Sequence, residues 1–181
     1  MLTKSNLLIA ATGTAVVALL SFQQREITEV HNEVREIKAF LVQTDENVHY
    51  TKNDLTCLAE NVYYEAGVEP VQGKYAVAQV TLNRLKTGHW GNSVCKVVHA
   101  KAQFSWTLKK KLDKPKGVLW AESQMIAHSV LVDKVRVRPL QQALMYHASY
   151  VSPAWADRTQ YITKVGQHLF YHKGLGSTLD I

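Results

Sequence analysis

Glu65 lies at the border between the apolar and polar faces of a predicted helix, after Tyr63 and Tyr64 and before Gly67. Partial burial of a carboxyl group disfavours its charged form, so such a group can hold a proton near neutral pH. Cleavage of a glycosidic bond needs a proton donor of this kind, because the departing sugar is otherwise a poor leaving group. Glu65 is therefore the candidate catalytic acid, and a structural or surface glutamate is the alternative.

Two later segments combine aromatic rings with short polar groups. The first is Gln103-Phe104-Ser105-Trp106, and the second is Tyr146-His147-Ala148-Ser149-Tyr150, which is followed by Pro153 and Trp155. In sugar sites, aromatic faces cover the apolar side of the ring, and amide or hydroxyl groups bind its hydroxyls. The alternative is that the rings pack in the core or within a loop, and composition alone does not decide.

The elements that must position these residues are mainly helical. Apolar residues at helical spacing predict a helix over 55–66, with Asp54 as its N-cap and Gly67 as a left-handed cap at its end. Further helices are predicted over 71–86, 94–100 and 119–131, with a loop at 88–93, a short element at 141–145 and an extended segment within 161–172. The prediction is a mainly α fold with a minor β component.

An uncharged apolar stretch from 7 to 22 follows Lys4 near the amino end. As a helix it would be roughly 24 Å long, against about 30 Å for a hydrocarbon core. An uncleaved signal anchor explains this stretch best, with the rest of the chain outside the inner membrane, facing the periplasm or cell wall. A cleaved signal peptide and a buried soluble helix are the alternatives.

A short stalk helix is predicted after this anchor. Apolar residues recur there at alternating steps of three and four, which forms a heptad stripe of Ile27, Val30, Val34, Ile37 and Leu41. Such a stripe is typical of a weak dimer through residues 27–41, or of a single helix that lies on the domain or the membrane. Polar residues at 45–53 indicate a linker. The predicted boundaries are 1–22 for the anchor, 23–53 for stalk and linker, and 54–181 for the catalytic domain.

Charge and cysteine content bear on the partners. The 181-residue chain has a formal net charge of +6, and the excess of basic residues lies after residue 46. A basic domain favours polyanionic surroundings such as cell-wall polymer, and the export signal argues against nucleic acid. Cys57 and Cys95 belong to no C-x-x-C pair, so a structural zinc site is not expected. They are expected to form a disulfide in an exported domain and to be free in a cytosolic one.

Three ordered blocks, together covering about residues 54–172, resemble the SleB-type cell-wall hydrolase family. This family includes spore-cortex-lytic enzymes and phage or bacterial wall hydrolases. The blocks are Cys57-Leu58-Ala59 with Val62-Tyr63-Tyr64-Glu65-Ala66 and Leu82-Asn83-Arg84, then Asn92-Ser93-Val94-Cys95 with Gln103-Phe104-Ser105-Trp106, then Tyr146-His147-Ala148 with Gly166-Gln167-His168-Leu169-Phe170-Tyr171.

The resemblance implies a lysozyme-like catalytic domain and a lytic transglycosylase that acts on peptidoglycan without a cofactor or metal. Glu65 corresponds to the family's catalytic glutamate, which would protonate the oxygen between MurNAc and GlcNAc and then help the MurNAc 6-hydroxyl close onto C1. Hydrolysis by a muramidase is the alternative reaction. The residues expected to bind the glycan are Tyr64, Glu69, Gln103, Phe104, Ser105, Trp106, Tyr146, His147 and Tyr150.

The chain departs from the family pattern beside the acid. Where the family usually has Glu-Ala-Arg-Gly-Glu, this chain has Glu65-Ala66-Gly67-Val68-Glu69, so the arginine is missing and Glu69 remains as a second carboxylate. That loss gives weight to a non-catalytic, wall-binding module. A zinc amidase is another rival, based on the helical spacing of His168 and His172, although no H-E-x-x-H motif is present. The amino end resembles the signal-anchor-release segment of phage endolysins, which implies tethered export and release when the membrane potential collapses.

Overall fold

The computed structural model describes residues 4–43 and 49–173, and it describes side chains over 16–42 and 49–173. The chain divides into two compact units, with the division between Ala39 and Phe40.

The first unit is a single helix, α1 (Lys4–Phe40), where an anchor and a separate stalk helix were predicted. The first three residues of its heptad stripe, Ile27, Val30 and Val34, are each more than 40% exposed, whereas Ile37 is half-buried and Leu41 lies in the strand that follows. In the part of the chain that is described, no helix is both long and apolar enough to cross a membrane. Most of the predicted 7–22 anchor precedes Val16 and so lies outside the residues whose side chains are described.

The second unit contains the remaining helices and all the described strands. Its helices are α2 (Lys52–Ala66), α3 (Val71–Thr87), α4 (Val94–Val98) and α5 (Gly117–Leu131), with short 3-10 helices at Ser105–Leu108, Arg138–Leu140 and Arg158–Gln160. The strands are β1 (Leu41–Gln43), β2 (Val135–Val137), β3 (Met145–Ala148), β4 (Tyr161–Val165) and β5 (His168–Tyr171). The predicted mainly α fold with a minor β component is confirmed.

The last residue of α2, Ala66, is as predicted, whereas the start of the helix and the conformation of Gly67 differ from their prediction. The helix begins three residues earlier than expected, because Thr51 is the N-cap and Asp54 completes a capping box with it. Each residue's side chain accepts a hydrogen bond from the other's backbone N–H, at 3.1 Å. Gly67 is right-handed, with φ −56°, so the predicted left-handed cap is wrong. A glycine is needed there because a Cβ would lie 2.5 Å from the Tyr63 carbonyl oxygen.

All the strand pairs are antiparallel. β1 pairs with β2, and the other three form a sheet in the order β3-β5-β4. In the register of the second sheet, Tyr146 of β3 lies opposite Phe170 of β5, and His147 lies opposite Leu169. Because successive side chains on a strand point to opposite faces, Tyr146 and His147 face opposite sides of this sheet.

Two apolar clusters form the core of the second unit. The larger cluster joins α2, α4 and α5 around Leu58, Val62 and Val130, and the smaller joins α3 to the strands around Val80 and Phe170. Since about 25 cal/mol is gained per Å² of apolar surface removed from water, this burial is the main force that holds α2 in place.

Polar side chains of α3 fix the segment that leads to β3. Asn83 donates hydrogen bonds to the carbonyl oxygens of Leu140 and Ala143, at 2.7 and 2.8 Å. Gln79 donates to the Asn83 side chain at 2.8 Å and accepts from the backbone N–H of Val137 at 3.0 Å. These buried groups would each cost free energy if left unpaired, so the network specifies the course of the chain between β2 and β3.

A disulfide joins α2 to α4, between Cys57 and Cys95. Asp54 adds a second connection, because its carboxylate also accepts a hydrogen bond from the backbone N–H of Val94 at 2.9 Å. The amino-terminal half of α2 is therefore tied to α4 both covalently and by a buried hydrogen bond.

Candidate active site

The site begins with Glu65, which lies half-buried in the last turn of α2. The hydroxyl of Tyr146, from β3, donates a hydrogen bond to its Oε2 at 3.0 Å. Tyr146 is held in turn by ring contacts with His168 and Phe170 of the neighbouring strand, at centroid distances of 5.1 and 5.5 Å. Among the described residues, the Glu65 carboxyl thus accepts its hydrogen bond from a well-supported donor that is distant in sequence.

The surroundings of Glu65 perturb its titration. Burial raises the pKa of the Glu65 carboxyl, and the Tyr146 hydrogen bond, Arg84 and Lys109 oppose that rise. Burial, with the Glu65 charge adding to it, raises the pKa of the Tyr146 hydroxyl well above its ordinary value, so this group remains a donor. A carboxyl group that retains its proton to higher pH than usual is suited to act as a general acid.

The Glu69 carboxylate makes its contacts away from the Glu65 carboxyl. The Glu69 side chain turns to the β4–β5 connection, where Oε2 accepts a hydrogen bond from the backbone N–H of Gln167 at 2.9 Å. Its Oε1 lies 3.9 Å from Nδ1 of His168. A Cβ at Gly166 would lie 1.9 Å from Oε2, and Gly166 also has a positive φ of +57°, so the turn is built around this carboxylate. These contacts do not test glycan binding by Glu69, which stays a prediction.

The segment predicted to bind sugar at 103–106 lies largely in the core. Phe104 is 2% exposed and Trp106 is 6% exposed, so both rings pack internally. The Trp106 indole N–H donates to Oδ1 of Asn61 at 2.9 Å, and its ring stacks on Tyr64 at a centroid distance of 4.6 Å. Packing, which was the alternative explanation, accounts for both rings.

The polar members of this segment and Tyr64 are more accessible. Ser105 is exposed, and Gln103 is half-buried with its amide donating to the Lys101 carbonyl at 3.3 Å. Tyr64 is half-buried, and its hydroxyl donates to the carbonyl oxygen of Asp113 at 2.7 Å. Of these residues, Tyr64 is the direct chain neighbour of the acid.

His147 and Tyr150 lie away from Glu65. His147 is on the opposite face of the sheet from Tyr146, where it stacks on Tyr171 and its Nε2 is 3.0 Å from that residue's hydroxyl. The Trp155 ring contacts the His147 ring edge-on, with 5.4 Å between their centroids. Tyr150 is 85% exposed in the turn after β3. Of the second predicted cluster, only Tyr146 contacts the acid.

Arg84 also belongs to this site. The sequence block Leu82-Asn83-Arg84 contains it, but no function was predicted for it. It is 4% exposed near the end of α3, and its charge acts on both Glu65 and Tyr146. An arginine within an otherwise apolar helical pattern was the available signal, because a buried charge needs a compensating partner.

The described residues hold no group of three or more histidine, cysteine, aspartate or glutamate side chains that could bind a metal ion. His168 and His172 have the spacing of a helical ligand pair, but the structure places His168 on β5 and His172 just after that strand. Residues four apart on an extended strand are roughly 13 Å apart, too far to share one ion. The geometry that motivated the zinc-amidase alternative is therefore absent from this segment.

Comparison with known proteins identifies related chains. A family model described as Cell Wall Hydrolase matches residues 68–171, starting three residues after Glu65. Spore cortex-lytic enzymes of Bacillus subtilis and Oceanobacillus iheyensis are 28% and 29% identical over 123 residues, which are 67% of this chain and 38% and 42% of those enzymes. The chain thus spans about two fifths of the length of these curated relatives.

Two solved structures also resemble the fold. The catalytic domain of the Bacillus cereus SleB protein matches with a TM-score of 0.53 at 25% identity, over 72% of this chain and 98% of that one. The catalytic domain of the germination-specific lytic transglycosylase SleB from Bacillus anthracis matches with a TM-score of 0.51 at 26% identity, over 67% of this chain and 96% of that one. The resemblance seen in the sequence blocks is confirmed.

Proposed function

Because the chain belongs to the Cell Wall Hydrolase family of enzymes, we propose that its second unit cleaves the glycan strands of peptidoglycan, with Glu65 as the acid. The observation that carries the proposal is the half-buried Glu65 carboxyl with the Tyr146 hydroxyl on its Oε2. The similar SleB domain from Bacillus anthracis belongs to a germination-specific lytic transglycosylase, which favours that reaction over hydrolysis.

The proposed reaction needs one carboxyl group. Glu65 gives its proton to the oxygen that links C1 of MurNAc to GlcNAc, and the bond from C1 to that oxygen breaks. The Glu65 carboxylate then takes the proton of the MurNAc 6-hydroxyl while O6 bonds to C1, which closes an anhydro ring and restores the acid. No water is consumed. The position of Glu69 at the β4–β5 turn supports this scheme over one with two carboxylates at the cleaved bond.

Tyr146 has a specific part in this cycle. Its hydroxyl stabilises the charged form of Glu65, which forms when the acid gives its proton to the glycan oxygen. A hydrogen bond to a charged group contributes about 1.5–3 kcal/mol, so the donor lowers the energy of the state that follows the first proton transfer.

The product of digestion tests the proposal. Purified protein is incubated with peptidoglycan, and the fragments are analysed by mass spectrometry. Anhydro-MurNAc ends support transglycosylation, reducing MurNAc ends would mean hydrolysis by a muramidase, and free stem peptides would refute glycan cleavage.

Glu65→Gln should abolish these glycan fragments while the protein keeps its fold, and Glu60→Gln on the same helix should leave them unchanged. Equal wall binding and no cleavage by wild type and Glu65→Gln would indicate the non-catalytic module.

We also propose that the domain acts outside the cytoplasmic membrane. The disulfide between Cys57 and Cys95 supports an oxidising compartment such as the periplasm.

Two finer proposals come from the sequence: tethering by residues 7–22, and release during host lysis as in phage endolysins. Fractionation before and after depolarisation tests them, and protein that stays equally membrane-bound contradicts release. A weak dimer through residues 27–41 is a further proposal. If it forms, the molar mass measured by light scattering should exceed that of one chain and should fall when Val30 and Val34 are both replaced by serine.

A further inference from the structure

Arg84 is a buried cation with an unusual set of partners. Its Nε donates to the carbonyl oxygen of Leu144 at 2.9 Å, and its Nη2 lies 3.9 Å from Sδ of Met145. The centre of the guanidinium is 5.0 Å from the Phe104 ring and 5.3 Å from the Trp90 ring. The guanidinium is thus enclosed by two aromatic rings and by the start of β3.

The charge of Arg84 is not neutralised by a directly paired carboxylate. Its Nη1 is buried and has no hydrogen-bond partner among the described residues, and no ion pair of Arg84 is found there. Removing a guanidinium from water costs several kcal/mol, and a full set of hydrogen bonds with an ion partner normally offsets that cost. Among the described residues, Arg84 is therefore held by a backbone carbonyl and two aromatic rings and not by a directly paired carboxylate.

The acidic group on which this charge acts is Glu65. Three groups from different elements act on the Glu65 carboxyl: Arg84 from α3, Tyr146 from β3, and Lys109 from the segment after the 3-10 helix. Lys109 is exposed, so water screens its charge, whereas Arg84 acts through the protein interior. Arg84 is also bonded to the backbone two residues before Tyr146, the donor to Glu65.

We propose that Arg84 is a positioning residue of the Glu65 site, with two effects. It holds the start of β3, and so the Tyr146 hydroxyl, against the carboxyl group. It also supplies the fixed positive charge that the Glu65 anion faces after it has given up its proton. The second effect matters because an acid in a partly apolar site would otherwise keep its proton too tightly to give it to the glycan oxygen.

This inference deepens the proposed function, but it can be tested without cleavage. The Glu65 side-chain carboxyl is followed by ¹³C NMR against pH in the wild type, Arg84→Met, Arg84→Lys and Lys109→Met. Removal of the buried charge should move the Glu65 midpoint upward by about one pH unit. Arg84→Lys should stay near the wild-type midpoint because it keeps the charge, and Lys109→Met should shift it less because water screens that charge.

Activity against peptidoglycan gives the second readout. Because Glu65 must be protonated to act as an acid, activity falls as pH rises through its pKa. Arg84→Met should therefore have a lower turnover and an alkaline limb displaced to higher pH. Arg84→Lys should keep the limb and lose part of the turnover, since a lysine cannot hold both Leu144 and Met145. A purely structural arginine would lower turnover without moving the limb or the NMR midpoint.

Three outcomes would overturn the proposal. An unchanged Glu65 midpoint in a folded Arg84→Met protein removes the electrostatic part, and so does an equal shift in Arg84→Met and Arg84→Lys. If Arg84→Met does not fold, Arg84→Gln takes its place, and failure of both neutral variants to fold makes Arg84 a structural residue only. If the wild type cleaves no glycan but the midpoints shift as expected, the proposed function fails and the role of Arg84 in setting the charge of Glu65 stands.

Discussion

The hydroxyl of Tyr146 lies 3.0 Å from Oε2 of Glu65, although 81 residues separate the two in the chain. The acid comes from the end of a helix and its donor from a strand, so the pair exists only when the helical core and the sheet are packed together.

Tyr146→Phe removes the donor and keeps the ring. The hydrogen bond lowers the pKa of Glu65, so its loss raises that pKa and displaces the alkaline limb of the pH profile to higher pH. Turnover should fall about tenfold or more, since a hydrogen bond to a charged group contributes about 1.5–3 kcal/mol. Steady-state digestion across pH checks both effects. Tyr161→Phe is the matched control, and equal losses in the two variants would contradict the assigned role.

Glu65→Gln should raise thermal stability at neutral pH. Burial raises the pKa of Glu65 in the folded state, so this carboxyl contributes stability when protonated, and that contribution is lost as pH rises through the folded pKa. Glutamine is neutral at every pH, so the gain over wild type should appear above the folded pKa and vanish in acid. The difference in Tm between the two proteins should therefore grow as pH rises through the folded pKa of Glu65.

Calorimetry from pH 4 to 8, about the range that brackets a raised carboxyl pKa, measures this difference. Glu60→Gln on the same helix provides the comparison. A gain that is the same at every pH would show that the substitution acts through packing and not through the charge of Glu65.

Glu69→Ala should destabilise the protein and leave its chemistry in place. The variant loses the hydrogen bond from the backbone N–H of the exposed Gln167, and such a bond contributes about 0.5–1.5 kcal/mol. Gly166→Ala should destabilise it as well, because a Cβ there lies 1.9 Å from Glu69 Oε2. Urea unfolding and specific activity at 25 °C are compared for both variants. Loss of activity in Glu69→Ala at unchanged stability would instead make Glu69 a second catalytic carboxylate.

Removal of the disulfide should cost a large share of the stability. Cys57 and Cys95 are 38 residues apart, and closing a loop of that length in the unfolded chain is worth about 4 kcal/mol in the chain-entropy estimate. The double variant Cys57→Ser with Cys95→Ser should unfold at lower urea, and reductant should shift the wild type toward it. Reductant should leave the double variant unchanged. A wild type that is insensitive to full reduction would contradict the expected contribution.

Helical periodicity was the most informative signal in the sequence. The predicted helices at 71–86 and 119–131 differ by two residues or fewer at each end from Val71–Thr87 and Gly117–Leu131. The border position of Glu65 also follows from that periodicity. The start of α2 was misplaced because Thr51 and Asp54 both suit an N-cap, and only the reciprocal pair of hydrogen bonds identifies the cap as Thr51.

The sequence alone could not distinguish aromatic residues of the core from aromatic residues of a sugar-binding site. Phe104 and Trp106 look the same in a sugar site and in a core, because a ring buries well in both. Tyr146 and His147 are neighbours in the chain, and only the pairing of β3 with β5 decides which of them lies on the face of the sheet toward Glu65. Such information depends on contacts between distant segments, which one sequence does not display.

The covalent link between Cys57 and Cys95 lies on the same helix as the acid, eight residues or about 12 Å along the axis from Glu65. A preparation made in a reducing cytosol therefore differs from an exported one at the element that carries the chemistry. Specific activities measured on the two materials are not interchangeable, and thiol titration should accompany each batch before variants are ranked.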